Sequence, residues 1–146
     1  ADTELTCLYL EARLKTDDVT ALDQVANIWN QGKSLPPSCD NLITEWKAAG
    51  RMTKQLIWQR FTKATNAGEA GLASYLSTQL PAAERSYALV YQQVNNNPAL
   101  LKTSAKFKQH NPYVTDILLR GIYKQSATND IKAKEGELEL FSKHAG

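Results

Sequence analysis

Apolar residues along this chain recur at alternating spacings of three and four, the period of one helix face. Leu5, Leu8, Tyr9 and Ala12 follow it and predict a helix from about Asp2 to Lys15, with Cys7 beside the face. Val19, Leu22, Val25, Ala26 and Trp29 predict a second helix from about Asp18 to Gly32, closed by Gly32 in the left-handed C-cap conformation. Pro36 and Pro37 make the following link stiff and non-helical. Leu42, Ile43, Trp46 and Ala49 predict a third helix from about Cys39 to Ala49, ended by Gly50. Leu56, Ile57, Arg60, Phe61 and Ala64 predict a fourth from about Lys54 to Asn66, capped by Thr53 and ended by Gly68. Arg60 lies on that apolar side and is expected to snorkel outward.

Leu72, Tyr75, Leu76 and Leu80 mark a fifth helix from about Glu69 to Gln79, broken by Pro81. A sixth, from about Ala82 to Gln93, carries Tyr87, Ala88, Tyr91 and Val94 inward. The pairs Asn97-Pro98 and Asn111-Pro112 each place a capping residue before a proline suited to the first helical position. They predict a seventh helix to about Gln109, with Leu100, Leu101, Ser104 and Phe107, and an eighth to about Lys124, with Val114, Ile117, Leu118 and Ile122. A last helix is expected from about Asn129 to Lys143, although its Gly136 lowers helix propensity by about 1 kcal/mol relative to Ala.

Strand signals are poor, with no convincing alternation and no Asn-Gly hairpin turn. The expectation is an all-α fold. Helices apolar on one side cannot bury that side alone, and short links pair them as antiparallel hairpins. Stacked hairpins give an α-superhelix, or solenoid, segment. No clean 34-residue repeat is present, and a compact helical bundle is the alternative. The 146 residues suffice for a single helical domain, with sub-units of about 1–81 and 82–146.

Composition is ordinary for a soluble chain, with 42% apolar and 22% charged residues. The longest apolar runs are short, such as Tyr87 to Tyr91, so no membrane span is expected. No charged-then-apolar leader opens the chain, and any secretion signal is expected to be removed or to lie outside it. Charge is uneven. Residues 1–50 hold eight acids and four bases, while 51–146 hold seven acids and thirteen bases. The bases are scattered rather than interleaved with aromatics, which argues against nucleic acid and reads as a solvated helix surface.

The usual catalytic signatures are missing. There is no GxSxG elbow and no HExxH zinc motif. Gly32-Lys33-Ser34 looks like the end of a phosphate loop, but Asn27 stands where that loop needs glycine. Asp17 and Asp18 are adjacent, with Asp18 expected to cap a helix. Glu135, Glu137 and Glu139 are spaced by two, which splays them around a helix. Glu69, between Gly68 and Gly71, reads as a carboxylate at a helix N-terminus. No cofactor or metal set emerges, since His110 and His144 are far from Cys7 and Cys39. The two cysteines fit either a disulfide or two buried thiols. Trp29 and Trp46 fall on apolar stripes and are expected in the core. Trp58 sits off the main stripe and is the candidate for a partly exposed ring, at a glycan or a domain contact.

A run of residues carries a family resemblance. It comprises Cys7-Leu8-Tyr9, Ile28-Trp29, Gly32-Lys33-Ser34, Pro37-Ser38-Cys39-Asp40, Trp46, Ala67-Gly68 and Leu80-Pro81, with Asn95-Asn96-Asn97-Pro98 further on. In order and spacing it resembles the superhelical, non-catalytic domain of the soluble lytic murein transglycosylases. The resemblance is specific over roughly the first 80 residues. It implies a Cys7–Cys39 disulfide, a periplasmic location, and a parent enzyme that cleaves the β-1,4 bond between N-acetylmuramic acid and N-acetylglucosamine to leave 1,6-anhydromuramyl ends. It also implies that the catalytic Glu lies in a separate C-terminal lysozyme-like domain, within motifs that this chain lacks. The chain is therefore expected to be an internal, inactive scaffold segment. Its partners would be peptidoglycan glycan strands, that catalytic domain, or both. The alternative is an independent helical-repeat adaptor binding a protein.

Overall fold

The computed structural model of the chain describes residues 2–102 and 110–145, with side chains as far as Asn129. It is all-α, as the periodicity predicts, and no strand occurs among the described residues. The α-helices are α1 (Thr3–Lys15), α2 (Val25–Trp29), α3 (Asp40–Ala48), α4 (Lys54–Asn66), α5 (Ala70–Gln79), α6 (Ala82–Asn96) and α7 (Pro112–Ala145). Three 3₁₀ turns, Val19–Gln24, Pro37–Cys39 and Pro98–Lys102, lie between them. The chain divides into two compact units, Ala1–Ala88 and Leu89–Gly146, with the division inside α6.

Helix boundaries follow side-chain chemistry. Asp2 caps α1, Thr53 caps α4 and Asn111 caps α7, each accepting a bond from the backbone N–H three residues on. Gly50 and Gly68 take positive φ after α3 and α4 and let the chain reverse. Gly32 does not take the expected left-handed conformation. The second helix is broken up: Val19–Gln24 is a 3₁₀ turn opened by the Asp18 carboxylate, and α2 already ends at Trp29.

In the first unit the core includes Leu10, Leu22, Val25, Leu42, Phe61 and Leu76. Helices α4 and α5 form a closely packed hairpin, and α1 packs on α3 and on the 3₁₀ turns to either side of α2. The expected inner face of α1 is corrected. Leu5, Leu8 and Tyr9 are exposed, and Cys7 and Leu10 point inward instead. The disulfide fixes this choice, because it turns the Cys7 side of the helix toward Cys39.

In the second unit Tyr91, Val94, Val114 and Ile117 are buried. A Cβ added at Gly121 would come within 2.3 Å of Leu101 Cδ1 and 2.9 Å of Val94 Cγ1, so that glycine sets how closely α7 approaches. Ile122, expected inward, is exposed. The eighth and ninth expected helices are one continuous helix, α7. Nothing in Gln125-Ser126-Ala127-Thr128 breaks a helix, since the stretch holds neither Pro nor Gly. The seventh helix begins as the 3₁₀ turn Pro98–Lys102. Ser104 and Phe107, and the side chains of Glu135, Glu137 and Glu139, lie outside the described residues.

Candidate functional site: a disulfide-tied tryptophan cluster

Cys7 and Cys39 are joined, with a Cα–Cα distance of 5.1 Å. The bond ties α1 to the 3₁₀ turn that opens α3, across the proline link. Just beyond it, α3 presents Trp46 to Trp29 of α2, with ring centres 5.5 Å apart and planes tilted by 44°. Both rings are buried, as their positions on apolar stripes predict.

Helix α4 closes over this pair. Leu56, Arg60 and Lys63 are spaced by four and three, so they share one side of the helix. The Trp29 indole N–H donates to the Leu56 carbonyl at 3.2 Å. Arg60 Nη2 donates to the Lys33 carbonyl at 3.2 Å, and Lys63 Nζ donates to the Asn30 carbonyl at 3.2 Å. Two carbonyls of the loop after α2 thus accept from α4 side chains, which tie the loop to that helix. Gly32 belongs to the same seam. A Cβ there would fall 2.5 Å from the Lys63 carbonyl oxygen, so the residue is glycine for space rather than for handedness.

Arg60 does not snorkel. It is 5% exposed, and its guanidinium carbon lies 4.3 Å from the Trp29 ring centre. A planar, weakly hydrated guanidinium stacks on an aromatic face in a way that an ammonium cannot. Lys47 Nζ stands 5.4 Å from the same ring centre. Burial holds the Arg60 pKa below its ordinary value. Burial, and then repulsion from Arg60, lowers that of Lys47. Trp29, Asp40, Lys47, Arg60 and Tyr75 are among the residues lining a cavity of about 460 Å³.

Trp58 is the main correction among the expected site residues. It is 3% exposed and packs on Phe61 with ring centres 5.4 Å apart. Its helix is buried on a broader face than one stripe, because α4 packs against both α2 and α5. The partly exposed ring expected at Trp58 is therefore not found. Glu69 is exposed and stands just before α5, as a carboxylate at a helix N-terminus. Asp18 pairs with Arg13 at 2.8 Å and caps the 3₁₀ turn after it. Sequence reading missed the Arg60–Trp29 stack. The signal for it was the presence of one arginine on an otherwise apolar stripe.

Fold and site together define a disulfide-tied module of helical hairpins. Comparison with known proteins is more specific. The chain is 33% identical over 105 residues to the soluble lytic murein transglycosylase of Escherichia coli K12, and 34% identical over 97 residues to that of Salmonella typhimurium. Those alignments cover 71% and 66% of this chain but only 16% and 15% of the relatives. An inactive mutant of lytic transglycosylase Slt from Pseudomonas aeruginosa superposes with a TM-score of 0.74 at 30% identity, over 82% of this chain and 20% of that one. The 70-kDa soluble lytic transglycosylase in complex with bulgecin A gives 0.64 at 28% identity, over 88% and 22%. A family model described as Cucumovirus coat protein matches residues 12–96. Viral capsid domains of the jelly-roll type are built from β-strands, whereas no strand occurs among the described residues. Sequence and structural relatives agree with each other and with the fold, so the coat-protein match does not describe this chain. The chain belongs to the soluble lytic murein transglycosylases and corresponds to a helical part of them, about a sixth to a fifth of their length.

Proposed function

We propose that the chain is a non-catalytic scaffold segment of a periplasmic peptidoglycan-cleaving lytic transglycosylase. It holds the glycan strand, or the separate lysozyme-like catalytic domain, in place for cleavage of the bond between N-acetylmuramic acid and N-acetylglucosamine. One observation carries the reading: 71% of this chain aligns with the Escherichia coli enzyme, yet spans only 16% of it. Among the described residues, what the chain offers within that span is a packed helical module. The Cys7–Cys39 bond supports a periplasmic setting, because disulfides persist in oxidising compartments.

Binding tests the reading. The chain is mixed with peptidoglycan sacculi and, separately, with the catalytic domain produced as its own polypeptide. Co-sedimentation with sacculi, or a stable complex in analytical ultracentrifugation, supports a scaffold. Failure of both, together with capture of an unrelated protein partner, favours an independent adaptor.

A further inference from the structure

The cavity beside Trp29 holds more positive charge than its walls neutralise. Lys47 and Arg60 both line it, and both stand near the Trp29 ring, at 5.4 Å and 4.3 Å from its centre. Among the described residues neither forms an ion pair with a carboxylate. Asp40 also lines the cavity but pairs with neither. The walls therefore carry two cations and one carboxylate.

Arg60 is the stronger sign. It is 95% buried, and its Nε has no hydrogen-bond partner, while Nη2 is used on the Lys33 carbonyl. A buried donor on a charged group left without an acceptor is costly. Nor do two like charges approach one another in a fold without cost. Here the positions are fixed by the fold: Arg60 by its stack on Trp29, and Lys47 by α3, which the disulfide ties to α1. Both costs fall if an anion enters. Leu35, Ile43 and Tyr75 supply apolar wall, and Ser34 and Thr44 add hydroxyls. Ser34, Asp40, Thr44 and Tyr75 are exposed, so the site is an open groove, of about 460 Å³.

We propose that this cavity binds a carboxylate, carried on a short peptide or a similarly small acid, with its charge between Lys47 and Arg60. One net positive charge in the walls matches a singly charged carboxylate better than a doubly charged phosphate. Arginine beside a carboxylate is among the stronger charge-assisted hydrogen bonds. The site does not depend on the scaffold reading, since its recognition chemistry lies wholly within the first unit.

The test is a titration of the full chain followed by the indole N–H resonance of Trp29. The probes are acetyl-alanyl-alanine with a free carboxylate, the same dipeptide as its C-terminal amide, and inorganic phosphate. The acid is expected to give a saturable shift at Trp29, and the amide none. Lys47→Met keeps the aliphatic stem and leaves Arg60 in the core. In that variant, with circular dichroism unchanged, affinity for the acid is expected to fall by about tenfold or more. Equal response to acid and amide, no saturable response to the acid, or undiminished affinity in Lys47→Met each overturns the site. Tighter binding of phosphate than of the acid overturns its assignment to a carboxylate.

Discussion

The guanidinium of Arg60 lies face-on to Trp29, 4.3 Å from the ring centre, and with Lys63 it holds the loop that leaves α2. This is a cation placed in a core by stacking rather than by an opposite charge. Arg60→Ala removes the stack, the bond to the Lys33 carbonyl and buried stem packing. It is expected to destabilise the chain by about 2–4 kcal/mol. Arg60→Lys keeps the charge but not the plane, and loses about 1–2 kcal/mol. Urea unfolding of the three proteins, followed by tryptophan fluorescence, measures the differences.

The Cys7–Cys39 bond closes a loop with a sequence separation of 32. In the chain-entropy model its reduction costs about 3–4 kcal/mol. For a chain of this size that corresponds to a fall in Tm of roughly 10 °C. Calorimetry with and without reductant checks it. The double variant Cys7→Ser, Cys39→Ser should melt with the reduced protein and be insensitive to reductant.

Much of the helix pattern was legible because local chemistry sets it. Thr53, Asn111 and Asp2 cap where their side chains stand, and Gly50 and Gly68 reverse the chain where a positive φ is needed. What was not legible depends on partners distant in sequence. The face of α1 is chosen by a bond to Cys39, 32 residues on. Gly32 is fitted to a carbonyl of α4, and Arg60 to a ring of α2. Trp58 falls off one stripe, yet is buried because α4 is packed on more than one side. The family was legible from the cysteine and tryptophan spacing, while the cavity beside Trp29 was not, since its walls come from four separate stretches of chain.

Glycine substitutions separate the two kinds of position. Gly32→Ala drives a methyl into backbone, 2.5 Å from the Lys63 carbonyl oxygen, and is expected to cost about 1–3 kcal/mol. Gly71 lies inside α5 with nothing within 4 Å of an added Cβ. Gly71→Ala is expected to stabilise by about 0.5 kcal/mol through helix propensity and a less free unfolded chain. Opposite shifts in urea midpoint confirm the distinction.

Acid should weaken the first unit through Asp18. The bond from Arg13 holds its carboxyl below the ordinary 3.8, with help from Thr20. A carboxylate whose pKa is lowered by folding contributes stability that is present above the unfolded pKa. That contribution is lost as pH falls through the folded value. Stability is therefore expected to decline below about pH 4, and Asp18→Asn should flatten that decline. Lys47 acts in the opposite range. Its folded pKa is lowered, so stability should rise with pH as the folded protein sheds that proton below 10.5, the ordinary lysine value. Lys47→Met should remove that rise. Unfolding midpoints across acid and alkaline pH test both.

On the proposed scaffold reading, this chain supports cleavage of peptidoglycan without performing it. The direct measurement is to incubate the purified chain alone with sacculi and analyse the supernatant by mass spectrometry. No anhydromuropeptides above a buffer control is the predicted result. Release of anhydromuropeptides would contradict the account and place an active site within these 146 residues, with Glu69 the first residue to replace.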